Sequence, residues 1–265
     1  MSTSSTDAIA VEAHTSPLKK TVPKYQEELI VREARRLWDG PEIGRIAATT
    51  YMHTRLSHFV APKRYQYPQD WERGFVQRAQ KRLLDPRSLT FVLCTKSNPD
   101  LPVGYATFVR LGNDKGARKQ IESHSRLERI GMWIWSLLYG VVWFWIVNFL
   151  AGGDKSEDKK GAVMFVEWGK ADRKIHWDGK PERENRWHAL SVVVREEYQG
   201  RKGGKRLMTE IIGKAEAENV VVGLESSPAG EMMYRSVGFE LLGRFSSDFE
   251  RDQGGVMMYT PKARR

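Results

Sequence analysis

The run Gln199-Gly-Arg-Lys-Gly-Gly-Lys205 combines glycine with positive charge directly after an apolar, β-branched stretch, Leu190–Val194. A helical pattern of Leu207, Met208, Ile211, Ile212 and Ala215 begins immediately afterwards. Strand, amide-rich loop and helix in that order form an anion site. The first N–H groups of a helix lack intrahelical acceptors, and the helix dipole places about half a positive charge there. Glycine lets the backbone approach a ligand with no Cβ between them. The expected ligand group is a pyrophosphate. It is held by the loop at Gln199, Gly200, Arg201, Lys202, Gly203 and Gly204, with Lys205 and Arg206 in the first turn of the helix.

A second motif, Glu225-Ser-Ser-Pro-Ala-Gly-Glu-Met-Met-Tyr-Arg-Ser-Val-Gly-Phe239, follows after room for one helix and one strand. Gln199-x-x-Lys202-x-Gly204 with Leu207 resembles the acyl-CoA loop of the GNAT acetyltransferase superfamily, and the second motif resembles its closing strand and tyrosine-bearing helix. One position departs, since Lys202 stands where the family has its first glycine, with Gly203 beside it. The resemblance implies an α/β fold with a mixed central sheet flanked by helices, and acetyl-CoA as co-substrate. It also implies that the backbone of Val192, Val193 and Val194 pairs with the pantetheine amides, and that Tyr234 protonates the leaving thiolate. Ser227, before Pro228, reads as a helix N-cap with a contact to CoA. Lys202 adds charge for phosphate but also adds a Cβ, and the expectation is that binding is retained.

Candidates for a base come from the residues themselves. His188 has the near-neutral ordinary pKa that suits proton transfer. Glu225 and Glu167 are the carboxylate candidates, Glu167 within Val163–Trp168, which reads as an extra strand on the substrate side. Each has a plainer reading: Tyr234 as a core tyrosine on Phe239, His188 as a structural histidine, Val192–Val194 as a buried strand. No His, Cys or carboxylate spacing matches a metal site, so no metal is expected.

The elements that must position these groups begin with 265 residues, 40% hydrophobic and 11% aromatic, ample for a core. The formal charge of +10 is densest in the proposed phosphate loop, so a polyanionic cofactor accounts for it without nucleic acid. The one cysteine, Cys94, sits in an apolar run and reads as core; with no disulfide and no apolar leader, the expected location is the cytoplasm, with a membrane-peripheral position as the variant. Residues 1–24 read as a disordered tail and 25–265 as the acetyltransferase domain. Strands are expected near Glu28–Ala34, Ser88–Lys96, Val103–Leu111, Leu190–Val194, Val220–Glu225, Glu240–Phe245 and Gly255–Thr260, and helices near Pro41–His53 and Asp70–Leu84.

Residues 112–185 form an insertion, and Ile130–Gly153 within it carries no charge. A single crossing of a bilayer would separate strands that must share one sheet. The segment therefore either folds back near Tyr139–Gly140 as an apolar wall over the active site or lies in a membrane interface. A Trp-rich helical insertion of this kind resembles fungal-type members of the superfamily. The reading at this stage is an acetyl-CoA-dependent N-acetyltransferase of a small, apolar amine. The alternatives are a longer-chain or O-acyltransferase of a small metabolite, and a non-catalytic CoA-binding or membrane-associated scaffold.

Overall fold

A computed structural model describes residues 27–247 and 254–264. The expected N-terminal tail lies outside the described residues. Seven strands form one sheet: β1 (Leu29–Glu33), β2 (Ser88–Thr95), β3 (Pro102–Leu111), β4 (Arg186–Val194), β5 (Val221–Ser226), β6 (Phe239–Gly243) and β7 (Gly255–Tyr259). Their order is β1-β2-β3-β4-β5-β7-β6. Every neighbouring pair is antiparallel except β4 and β5. That parallel pair needs a crossover, which is supplied by α9 (Gly203–Glu218). The remaining helices are α1 (Gly40–Tyr51), α2 (Arg55–Val60), α3 (Pro68–Leu83), α4 (Lys115–Glu122), α5 (Arg126–Leu137), α6 (Phe144–Ala151), α7 (Lys159–His176), α8 (Pro181–Glu184) and α10 (Pro228–Arg235).

Alternation along the strands sorts the core into two faces. Leu89, Phe91 and Leu93 of β2 pack with Leu207, Met208, Ile211 and Ala215 of α9. Val92 and Cys94 face the other way, with Ile43, Ile46 and Ala47 of α1 and Ala79 and Leu83 of α3. The cysteine is thus fully buried core. At Gly44 the two helices touch so closely that a Cβ would meet the Val76 backbone at 2.4 Å.

The register between β3 and β4 slips at Leu190: Thr107 opposes Ser191, while Phe108 opposes Ala189. One extra residue reverses which face each later side chain takes. Trp187 and Ala189 accordingly lie in the α9 core, whereas Val193 lies in the α1–α3 core. Parallel pairing of β4 with β5 ends at Ala189–Leu224, so the β4 edge from Leu190 onward has no strand beside it among the described residues.

The insertion departs from expectation in three ways. Val163–Trp168 is not a strand but part of α7, an 18-residue helix capped by the Asp158 carboxylate on the Gly161 N–H (3.0 Å). The apolar segment does not fold back at Tyr139–Gly140: α5 passes through a π-helical turn, Leu138–Trp143, directly into α6. It forms no wall over the site either, because it lies on the outside of the helical layer. His124, just before it, packs on Arg36, and the carbonyl of Gly153, its last residue, accepts from Arg73 of α3 (3.0 Å). Leu127, Trp133, Trp145, Phe149 and Leu150 are exposed, and Met132 is buried. Among the described residues no helix is long and apolar enough to cross a membrane.

Candidate active site

The unpaired edge of β4, the N-terminus of α9, the start of α10 and one face of α7 enclose a cavity of about 1210 Å³. Val192, Val193 and Val194 line it, as do Gln199, Gly200, Lys202, Gly203, Gly204, Lys205, Ser227, Tyr234, His188 and Glu225. The structure therefore gathers most of the residues singled out from sequence around one space.

The first backbone bond into α9 runs from the Arg206 N–H to the Lys202 carbonyl (3.0 Å). The amides of Gly203, Gly204 and Lys205 precede the helix's own acceptors and have no i−4 carbonyl to bond. A Cβ on Gly203 would meet Leu93 Cδ2 at 2.5 Å, so any larger residue would have to push the buried Leu93 side chain aside for the helix to start this close to β2. The Gln199 side chain donates to the Val194 carbonyl (2.9 Å), tying the loop back to the strand. Arg201 and Arg206 take another course: their guanidinium groups donate to the Glu27 and Leu29 carbonyls, away from the cavity. The loop's side-chain charge toward a ligand thus comes from Lys202 and Lys205. Ser227 occupies the N-cap position of α10, but its side chain makes no capping bond; the neighbouring Ser226 hydroxyl donates to the Ser227 carbonyl (2.8 Å).

His188 and Glu225 face each other across the parallel pair, with His188 Nε2 2.9 Å from Glu225 Oε2. His188 is buried behind; the Glu225 side chain keeps 43% of its surface, turned to the cavity. Burial raises the Glu225 carboxyl. The hydrogen bond and charge of His188 oppose this, with smaller contributions from Trp177 and Arg186, and the net effect holds the group below its ordinary value. Glu167 is not part of this arrangement: it is exposed on the outer side of α7 and pairs with Lys170 (2.8 Å). Tyr234 is buried beside Phe239, with ring centroids 5.8 Å apart, yet reaches the cavity. Burial, aided by the nearby Tyr51, pushes its phenol above the usual tyrosine range. One placement thus packs the Tyr234 ring into the core and brings it to the cavity wall.

The residue pattern does not announce several lining groups. Ser191, at the bulge, has its hydroxyl 2.8 Å from that of Tyr105 and 3.3 Å from that of Tyr51. Phe165, Trp168, Gly169 and Asp172 line the cavity at the i, i+3, i+4, i+7 spacing of one helical face. Trp177 ends α7 by packing on β5 at Gly223, where any Cβ would meet its ring at 2.4 Å. It crosses the His188 ring edge-on at 5.6 Å.

The acetyltransferase (GNAT) domain model matches residues 157–241, from the N-terminus of α7 through β6. That stretch of the chain carries a GNAT acetyltransferase domain. The crystal structure of histone acetyltransferase HPA2 and related acetyltransferase from Corynebacterium glutamicum shares the fold at a TM-score of 0.51 and 15% identity, covering 88% of this chain and 96% of its own. YncA from Salmonella typhimurium, solved with acetyl-CoA, aligns at 14% identity and a TM-score of 0.44, covering 88% and 93%. PaiA N-acetyltransferase from Thermoplasma acidophilum, in complex with coenzyme A, aligns at 10% and 0.45, covering 88% and 99%. No curated protein matches the chain in sequence.

In this GNAT domain the departure at Lys202 has a structural cost. Lys202 adopts the left-handed conformation, φ 62°, as the N-cap of α9. A residue with a Cβ pays about 1–2 kcal/mol there, which glycine avoids.

Proposed function

We propose that this protein transfers an acetyl group from acetyl-CoA directly to the nitrogen of a small amine with an apolar body. The observation that carries the reading is the convergence, on one cavity, of an unpaired β4 edge, the free N-terminal amides of α9, Tyr234 and Glu225. The α9 amides with Lys202 and Lys205 hold the pyrophosphate. The backbone edge at Val192–Val194, apart from the Val194 carbonyl that the Gln199 side chain occupies, takes the pantetheine arm and aims the thioester at the gap where β4 and β5 part. The acceptor amine enters from the α7 side and attacks the acetyl carbonyl carbon. As the C–N bond forms and the C–S bond breaks, Glu225 takes a proton from nitrogen and Tyr234 gives one to sulfur. Phe165, Trp168 and Trp177 supply the apolar wall that favours an apolar acceptor.

Calorimetric titration with acetyl-CoA tests the loop directly. Native protein is expected to bind in the micromolar range. Lys202→Gly is expected to bind several-fold more weakly for want of the charge, yet to melt about 2–4 °C higher as the left-handed strain is relieved. Binding by the glycine variant alone would show that Lys202 disables the site and favour a non-catalytic scaffold; binding by neither would end the proposal.

The exposed apolar helix running from α5 into α6 favours one further element, attachment to an anionic membrane surface. Most of its apolar side chains face outward, and Arg126, Lys155, Lys159 and Lys160 are exposed near its ends, interspersed with the exposed carboxylates of Glu128, Glu157 and Asp158. Such a combination adds apolar burial to attraction for anionic headgroups. The protein should float with phosphatidylserine-containing vesicles, and Trp133→Ser with Trp145→Ser should leave it at the bottom of the gradient. Equal sedimentation of native protein with and without vesicles would discard this attachment.

A further inference from the structure

Arg186 is almost fully buried at the start of β4 and lines the acceptor side of the cavity, yet among the described residues no carboxylate lies within ion-pair distance of it. The other buried arginine of the sheet, Arg110, shows the usual solution: it is matched by Asp114 at 2.7 Å and Glu218 at 2.8 Å. Arg186 has instead one hydrogen bond, from Nη1 to the Arg183 carbonyl (2.8 Å), and a guanidinium stacked 4.5 Å from the Trp177 ring centre. Its Nε is buried with no partner among the described residues. The free side of the fork is therefore the Nε–Nη2 edge, one of the two edges that accept a carboxylate through paired N–H bonds. Burying a cation without its counter-ion is costly, and a chain keeps such a group where a ligand completes it.

Strand geometry fixes what else that ligand touches. Arg186 and His188 are two residues apart on β4 and so share a face, and Glu225 meets His188 on that face from β5. Trp177 lies against both Arg186 and His188. Asp172, on the α7 face opposite, is engaged by the Ser246 N–H (2.7 Å), and Asp178 by Arg173 (3.2 Å); Glu225 and Asp178 act on Arg186 only through space, and neither forms an ion pair with it among the described residues. A positive fork, a carboxylate two steps further along the same face, reaching back to His188, and an aromatic wall beside them match a carboxylate, an ammonium and an apolar body joined in one molecule.

Resting on the acetyl-transfer reading above, we infer that the acceptor is an amino carboxylic acid with an apolar side chain, whose carboxylate is held by Arg186 while its amine meets Glu225. Phe165 and Trp168 of α7 receive the side chain.

The test uses matched acceptors differing only in the carboxylate: L-phenylalanine with 2-phenylethylamine, L-tryptophan with tryptamine, and L-leucine with 3-methylbutylamine. Release of free CoA from acetyl-CoA is followed for the full-length protein. The amino acids should exceed their amines by at least about tenfold in kcat/KM. Arg186→Gln should raise KM for the amino acids by about 10–100-fold, and by far more than for the matched amines, the expected loss of a charge-assisted pair. Arg186→Lys should recover part of the preference. Amines matching or exceeding the amino acids in native protein would overturn the inference without recourse to any variant, as would equal losses toward both classes in Arg186→Gln. Acetyl-CoA binding in the calorimeter reports separately on the cofactor site. Binding without turnover of either class would remove the amino-acid assignment and leave that site standing.

Discussion

Tyr234→Phe should lower kcat for acetyl transfer by about 10²–10⁴-fold, the range expected for loss of a positioned general acid, with the Kd for acetyl-CoA unchanged. Among the described residues no protein group hydrogen-bonds the phenol, so its removal breaks no internal bond, and the ring that packs on Phe239 remains. Stability should therefore hold within about 1 kcal/mol. The direction of the tyrosine's shift adds a second check. A phenol whose pKa is raised by burial stays protonated throughout the neutral and mildly alkaline range, so the proton-donating form is always present. The pH–rate profile of native protein should show no fall attributable to Tyr234 below about pH 10, the ordinary tyrosine value. A loss under threefold in kcat, measured at saturating acetyl-CoA, would relegate Tyr234 to the core. A weakened Kd with unchanged kcat would make it a binding residue.

What is legible in the sequence is what the local backbone dictates. The loop from Gln199 to Gly204 and the helix after it need glycine at points of close approach, and Gly203 beneath Leu93 is one of them. Tyr234 and Phe239 fall on a short helix and the strand after it, and their contact is built into that connection. Sequence pattern makes β4 too short because Arg186, Trp187 and His188 mix charge with aromatics; Trp177 at the end of α7 covers Arg186 and His188 on one face while the α9 core covers Trp187 on the other, and together they make the segment a buried strand. The groups opposite one another across the parallel pair depend on register, which no spacing along one strand reveals. Gly223 reads as a weak point in a strand, yet its missing side chain is the socket for Trp177. Part of α7 reads as a strand because Val163-Met-Phe-Val is a short, continuous apolar run with β-branched residues at both ends. Its cavity face includes Gly169 and Asp172, which blurs the helical period. The strongest signal, the charge-free run 130–153, does not line the cavity: hydropathy reports residue type and is silent on what covers it. The acceptor wall comes instead from the less apolar helix that follows.

Glu225→Gln should lower kcat/KM by about 10²–10⁴-fold near neutrality, with the deficit narrowing as pH rises toward the pKa of the acceptor amine. The carboxyl is held below its ordinary value of 4.5, so it is an anion across the whole working range. Such a group is a weak base toward a free ammonium ion, and its first service is to attract one. Once the C–N bond forms, however, the nitrogen becomes strongly acidic, and a weak, correctly placed base suffices to take the proton. Glutamine keeps the shape and can still accept from His188, but it has neither the charge nor the proton affinity. At high pH the acceptor already arrives neutral and attraction matters less, which is why the gap should close. The same shift sets a stability signature. A folded-state pKa below the unfolded one contributes stability that is present above pH 4.5 and is lost as pH falls through the folded value, so the melting difference between native protein and the Glu225→Gln variant should shrink in acid. A rate loss that stays constant with pH would assign Glu225 to positioning His188 and the acceptor rather than to proton transfer. Full activity in the variant would return the base to bulk water.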